Sequence, residues 1–378
     1  MHSSNNSVTI ATEQPLQDLG SSPTNISFSY LCPIIVSSYQ FVLIPVLYCI
    51  IFILGLAGNS MVVMVLCQPQ SRKTVSNVYI VNLAVADLLA LTTVPFWAAY
   101  YAYGYNWLFG SVMCKISGSV LCLTMFGSIF FITCMSLNRY QAIVHPFQSQ
   151  QGTPQQAYNT ALVVWGLAAL TSLPTFYFRD TKYITELGVT ACIMAYPSEK
   201  YSSWSAGMAL MKNILGFLVP LAIITTCYVW IRVHLMKARG LGKNRQIRDR
   251  VLKLVAAVVV AFLICWLPFH ILTFLDALSW MDVISNCWVT SAIDAALPFG
   301  LSMGFANSCI NPLLYYFISS QFQEKLQHLF KLRLYQFSSS RESFCSRKTS
   351  SYKTTETLRG AERRGDVEKP QTHPLWVP

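Results

Sequence analysis

No lysine or arginine occurs before Arg72, and charge of either sign is scarce: Asp, Glu, Lys and Arg make up 11% of the 378 residues, against 53% hydrophobic. A typical soluble domain carries about twice that charge, and one soluble core could not hide so much apolar surface. Lipid is the solvent that fits. The amino-terminal residues lack a basic start followed by an apolar stretch, so no cleavable signal peptide is expected and the first span should direct insertion. No His-Glu-x-x-His string and no paired acids deep in an apolar run are present, so an enzyme is not expected. The run from Trp288 to Ile318 has no lysine to carry a retinal-type chromophore. A transporter or channel would need repeated halves with broken helices, or a relay of buried charges, and neither is visible.

What the chain does have is apolar runs long enough to cross a bilayer, which takes about 20 residues as a helix. Seven occur, from Phe41 to Cys67, Val78 to Tyr101, Val112 to Tyr140, Tyr158 to Phe178, Ser205 to Met236, Val251 to Leu278 and Trp288 to Ile318. They predict an all-α membrane protein, a seven-transmembrane helical bundle over 41–319. Lipid cannot satisfy free backbone groups, so Pro45, Pro95, Pro174, Pro220, Pro268, Pro298 and Pro312 are expected to mark kinks repaired by neighbouring helices.

Between Arg232 and Lys253 lie Lys237, Arg239, Lys243, Arg245, Arg248 and Arg250, against the single acid Asp249. The positive-inside rule makes that loop cytoplasmic and residues 1–40 an extracellular segment. Seven spans then leave the carboxyl terminus inside, in agreement with Lys325, Lys331 and Arg333. The net charge of +11 is read as topology and attraction to anionic membrane lipid, with no nucleic-acid partner. Asn5 and Asn25 head glycosylation sequons on the expected outside. The tail over 335–378, rich in Ser, Thr, Lys and Arg, reads as disordered and phosphorylatable. Of twelve cysteines, seven lie within or at the inner edge of spans and read as inert small apolar residues, and Cys345 lies in the tail. Cys32, Cys114, Cys192 and Cys287 fall on the oxidising outer side, where two disulfides are expected in any of three pairings.

Polar groups deep in spans need partners. Asp87 would cost roughly 2.5–3.5 kcal/mol if left unpaired in lipid, so it must face the bundle interior. Asn59, Ser128, Asn307, Ser308 and Asn311 lie at comparable depth. Either a pocket holding a cation and waters or an ion-free hydrogen-bonded network would satisfy them. Lys212 lies about 10 Å below the outer end of span 5 at 1.5 Å per residue and needs an anion. Asp276 and Asp294 sit in outer turns, and Arg179 and Lys182 open the second outer loop. Such an outward cleft suits a dipolar ligand, such as a peptide with an arginine and a free carboxylate. Tyr48, Trp97, Tyr100, Tyr101, Leu121, Met125, Trp266, Phe269 and His270 are its candidate lining.

Asn59, Leu83 through Asp87, Asn138-Arg139-Tyr140, Trp165, Pro220, Tyr228, Cys265-Trp266-Leu267-Pro268 and Asn311-Pro312-Leu313-Leu314-Tyr315 form an ordered set. That set resembles the rhodopsin-like G-protein-coupled receptors. Within them, Phe130 through Ser136, Leu210 through Phe217 and Ile264 through Leu278 look like the angiotensin receptors. Met211 and Phe274 through Leu278 favour the type-2 branch. The resemblance covers roughly Tyr48 to Phe330.

It implies a plasma-membrane receptor for an angiotensin II-like peptide, signalling to a G protein or adaptor proteins. Lys212 and Arg179 would hold the peptide carboxylate, and Asp276 and Asp294 its arginine. Cys114 would pair with Cys192, and Cys32 with Cys287. Asp87, Ser128 and Asn307 would line a sodium-type pocket. Trp266 and Pro268 would couple ligand entry to Asn311, Pro312 and Tyr315, and to Arg139, Tyr140 and Tyr228 at the inner face. Residues 320–334 resemble an amphipathic helix on the inner membrane surface. Two positions depart from the pattern: Asn138 replaces the usual acid beside Arg139, and Thr124 replaces an asparagine. The first of these leads us to expect altered basal activity.

Overall fold

A computed structural model describes residues 7–8, 36–37, 39–68, 74–145, 153–185, 187–237, 245–318, 322–329 and 331. Seven long apolar helices, α1 to α7, are each able to span a membrane. They are α1 (Gln40–Leu66), α2 (Val75–Ala102), α3 (Gly110–Val144), α4 (Pro154–Phe178), α5, α6 (Arg245–Trp280) and α7 (Cys287–Ile318). Helix α5 is built from Tyr201–Asn213, a π turn at Ile214–Leu218, and Val219–Lys237. A short helix α8 covers 322–329, where Phe322, Leu326 and Leu329 recur at amphipathic spacing. Asn5, Asn25, Cys32 and the tail lie outside the described residues.

Helices α2 and α4 begin before their apolar runs because polar caps set those ends. Thr74 caps α2 by accepting from the Asn77 amide, so the helix begins at Val75 rather than Val78. Thr153 and Gln156 form a reciprocal capping box, and Pro154 takes the first position of α4. The helices carry Pro45, Pro95, Pro174, Pro268, Pro298 and Pro312 without interruption. Pro220 follows the π turn, in which the Val219 amide reaches back to the Ile214 carbonyl. A widened turn here is a known way to accommodate a missing donor.

Helix α3 packs against α2, α4, α5 and α6, while α1 packs on α2 and α7. Between α4 and α5 runs an antiparallel hairpin that hydropathy did not predict, β3 (Arg179–Ile184) with β4 (Val189–Met194). Its turn uses Gly188 at φ 65°, a conformation that costs glycine little. The Cys114–Cys192 disulfide ties β4 to the start of α3. Two further links fasten the hairpin to the α2–α3 turn: the Trp107 amide donates to the Thr190 carbonyl at 2.7 Å, and the Thr190 amide donates to Asn106 at 3.1 Å. A two-stranded patch, β1 (Ser7–Val8) with β2 (Val36–Ser37), and a 3₁₀ turn at Ser198–Lys200 complete the described elements.

Candidate functional site

Beneath the hairpin, a cavity of about 340 Å³ runs into the bundle. Its lining includes Trp97, Tyr100, Tyr101, Leu121, Met125, Arg179, Lys212, Trp266 and Phe269, as the sequence suggested. It reaches Asp87, Ser128, Asn307 and Ser308 at its deep end. One side is an aromatic wall: Trp97, Tyr100, Tyr101 and Tyr105 pack edge to face with ring centroids 5.3–5.7 Å apart, and Trp107 backs Trp97 in a tilted contact at 5.2 Å.

The Arg179 guanidinium lies over the Trp97 ring at 4.9 Å, within cation–π range. Its hydrogen bonds are long, at 3.5 Å to the Cys192 sulfur and 3.4 Å to the Cys192 carbonyl. Burial pulls this guanidinium below its ordinary range, and the phenols of Tyr100, Tyr101 and Tyr196 oppose that shift. The group stays cationic. Gly118 lets it approach α3, since a Cβ there would stand 3.0 Å from the Arg179 Cδ. Lys212 lies within electrostatic reach of Arg179 and Asp276. Neither cation has an ion pair among the described residues, where Lys115 with Asp180 is the pair present.

Two expected lining residues, Tyr48 and His270, lie off the cavity, and so do the two outer-turn acids, Asp276 and Asp294. Tyr48 is fully buried behind it, packed on Tyr101 and Phe305. His270 is buried on the α5 side of α6, stacked on Phe217 at 4.8 Å. Asp276 is hydrogen-bonded with Trp280, and Asp294 lies one helix over, near Asp276 rather than in the cavity wall. Hydropathy and spacing place these residues at the right depth but leave their rotation about the helix axis open. Lys182 is exposed on β3.

The sequence reading missed Tyr105, Gly118, Cys122, Thr175, Leu301, Gly304 and Phe305. Tyr105 sits in a turn at φ 65° and donates to the Gln40 side chain at 2.7 Å; burial pushes its phenol up to about 12. Gln40 in turn donates to the Ala295 carbonyl, joining α1 to α7. Cys122, read from the sequence as inert packing, faces the cavity. The string Gly300-Leu301-Ser302-Met303-Gly304 has the spacing of a hydrolase nucleophile turn. It lies inside α7, where Ser302 donates to the Pro298 carbonyl at 2.7 Å, and so forms no such turn.

At the deep end, Asp87 accepts from Ser308 at 2.9 Å and from Asn311 at 3.0 Å. Asn59 instead donates to the Gly55 and Ser308 carbonyls, bracing α1 against α7. Asn307 keeps a buried carbonyl oxygen without a partner. Carboxylate, amide and hydroxyl oxygens from Asp87, Asn307 and Ser128 make a donor set that fits a hard cation. At the opposite end of the bundle, Arg139 donates to the Ser76 hydroxyl, and Tyr140 meets His145 at 3.4 Å. The Tyr315 hydroxyl is buried without a partner. Cys287 is disulfide-bonded, and its expected partner Cys32 lies outside the described residues.

The sequence pattern of the 7 transmembrane receptor (rhodopsin family) matches residues 58–315. The type-2 angiotensin II receptor of Homo sapiens is 58% identical over 315 residues, covering 83% of this chain and 87% of that protein. That of Rattus norvegicus is 54% identical over 349 residues, covering 92% and 96%. The type-1 angiotensin II receptor of Sus scrofa is 41% identical over 295 residues, covering 78% and 82%.

Proposed function

Because the chain belongs to the rhodopsin family of seven-transmembrane receptors, we propose that its cavity takes angiotensin II or a close peptide variant, with the terminal carboxylate on Lys212 and Arg179. The protein is a multi-pass plasma-membrane receptor for a peptide hormone, not an enzyme. A charge imbalance carries the ligand reading: two cations border an aromatic cavity whose one lining acid, Asp87, is already engaged by Ser308 and Asn311. A peptide carboxylate would supply the missing charge. Asp276 and Asp294, off the cavity wall, suit the peptide's arginine at the rim.

The hairpin end is read as extracellular, since the basic run from Arg232 to Lys253 belongs to the opposite end. A sodium ion at Asp87, Ser128 and Asn307 would use the unpartnered Asn307 oxygen. Ligand entry would repack Trp266 and shift the population towards an arrangement in which Arg139, Tyr228 and Tyr315 find new partners and a G protein or adaptor docks. The buried Tyr315 hydroxyl favours such a second state, because leaving it unsatisfied costs about 1–3 kcal/mol.

The test is radiolabelled angiotensin II binding to membranes carrying wild type or Lys212→Ala, at matched surface expression. Removing one partner of a buried charge pair costs about 2–5 kcal/mol, so affinity should fall roughly 30-fold to several-thousand-fold. No saturable binding to well-expressed wild type would overturn the peptide assignment.

A further inference from the structure

Seven free cysteines are described, and Cys122 is the one among them that lines the cavity. Cys192 lines it too, but its sulfur is bonded to Cys114. Cys122 lies within electrostatic reach of both Lys212 and Arg179. Two further groups lining the cavity point to an anionic guest: the Thr175 hydroxyl and the Trp97 indole N–H are buried and have no hydrogen-bond partner. Acceptor oxygens of an anionic guest would suit such donors in a cavity that also holds two cations.

We propose that Cys122 is a covalent-modification site selective for small anionic thiol-reactive compounds, which Lys212 and Arg179 draw into the cavity. Selectivity arises because a cleft lined by one sign of charge raises the local concentration of opposite-sign reagents. The assignment does not depend on which peptide hormone the cavity takes. The reaction with 2-sulfonatoethyl methanethiosulfonate illustrates the step. Cys122 gives its proton to water, and the thiolate attacks the reagent's divalent sulfur. A new S–S bond forms to Cys122, the reagent's S–SO₂ bond breaks, and methanesulfinate leaves with the bonding pair. No outside oxidant is consumed.

The experiment uses the full chain in lipid nanodiscs, with peptide mapping by mass spectrometry after timed labelling. The sulfonate reagent is compared with its trimethylammonium counterpart, each rate divided by that for free cysteine in solution. The sulfonate should label Cys122 at least about 10-fold faster on that scale. The preference should fall severalfold in Lys212→Gln, where Arg179 alone remains, and in wild type as salt is raised, which keeps the test decisive if the variant folds poorly. Exposed Cys67 serves as the internal control. No adduct on Cys122 while Cys67 is labelled, or equal rates for the two reagents, would overturn the proposal. Labelling that saturating angiotensin II fails to slow would leave the Cys122 assignment standing and count against the placement of the peptide in this cavity.

Discussion

Arg139 near the end of α3 donates a hydrogen bond to Ser76 in the first turn of α2. Its chain neighbour is Asn138, so the arginine is held by a neutral hydroxyl, and a carboxylate beside it would add the Coulomb attraction of an ion pair. Asn138→Asp should therefore lower agonist-independent signalling and raise thermal stability. At about 1 kcal/mol the inactive-to-active ratio would change roughly fivefold. Ser76→Ala should act in the opposite direction. Both are read from basal signalling at matched surface expression and from Tm of the purified protein. Basal activity unmoved by either substitution would mean that Arg139 does not restrain the resting state.

The hairpin has its own latch. Asp180 meets Lys115 at 3.1 Å and accepts from the Ser111 hydroxyl and the Thr181 amide. These partners, the Ser111 hydroxyl foremost, hold its carboxyl at about 2, below its ordinary 3.8. A depressed carboxylate contributes stability above the unfolded value and loses it as pH falls through the folded one. The latch should thus be intact above about pH 4 and dissolve towards pH 2. Hydrogen exchange at the β3 and β4 amides should be faster in Asp180→Asn than in wild type at pH 6. The two should converge near pH 2. A difference that persists there would assign the effect to something other than the charge. The side chains are partly exposed, so the change should be local rather than global.

Hydropathy alone placed all seven spans, because a 20-residue apolar stretch has few other uses. It placed Phe178 and Ile318 correctly and missed other ends by up to six residues; at α2 and α4 the reason is Thr74 and Thr153, whose capping side chains extend the helix through polar residues that no lipid preference marks. Asp87 was legible as inward-facing from cost alone, and its contacts with Ser308 and Asn311 follow. His270 and Tyr48 were not, because facing the bundle interior and facing the cavity look the same in a sequence. Cys122 and Thr175 are ordinary small residues in their helices. What distinguishes them is the cavity, created jointly by helices α2 to α7 and the hairpin. The hairpin was hidden because its strands are six residues each, too short to stand out beside spans of about 20 residues.

The Asp87 cluster predicts a specific ion response. If sodium binds there, replacing choline by sodium at constant ionic strength should raise Tm of the purified protein, because a ligand that binds only the folded state stabilises it. A hundredfold excess over Kd corresponds to about 2.7 kcal/mol. Asp87→Asn keeps the shape and can retain bonds to Ser308 and Asn311, yet removes the charge, so the sodium increment should vanish. Equal increments in both proteins would favour the ion-free network, in which Asp87 is fully served by its two donors.

Trp266 has little room on its α7 side. A Cβ at Gly304 would stand 2.8 Å from its Cζ3 and 2.9 Å from its Cε3, and a rigid indole can yield only by turning as a whole. The ring is bounded on other sides by Phe262 and Phe269, with centroids 6.2 and 5.8 Å away. Gly304→Ala should therefore overpack this corner, at about 1–3 kcal/mol. If Trp266 couples the cavity to the far end and the peptide is anchored at Lys212 as proposed, maximal agonist response should change severalfold while peptide affinity moves much less. Gly207→Ala is the matched control, since nothing lies within 4 Å of a Cβ there. Comparing peptide affinity and maximal response across the two variants separates the roles. A response that falls in strict proportion to affinity would place Trp266 in ligand binding alone.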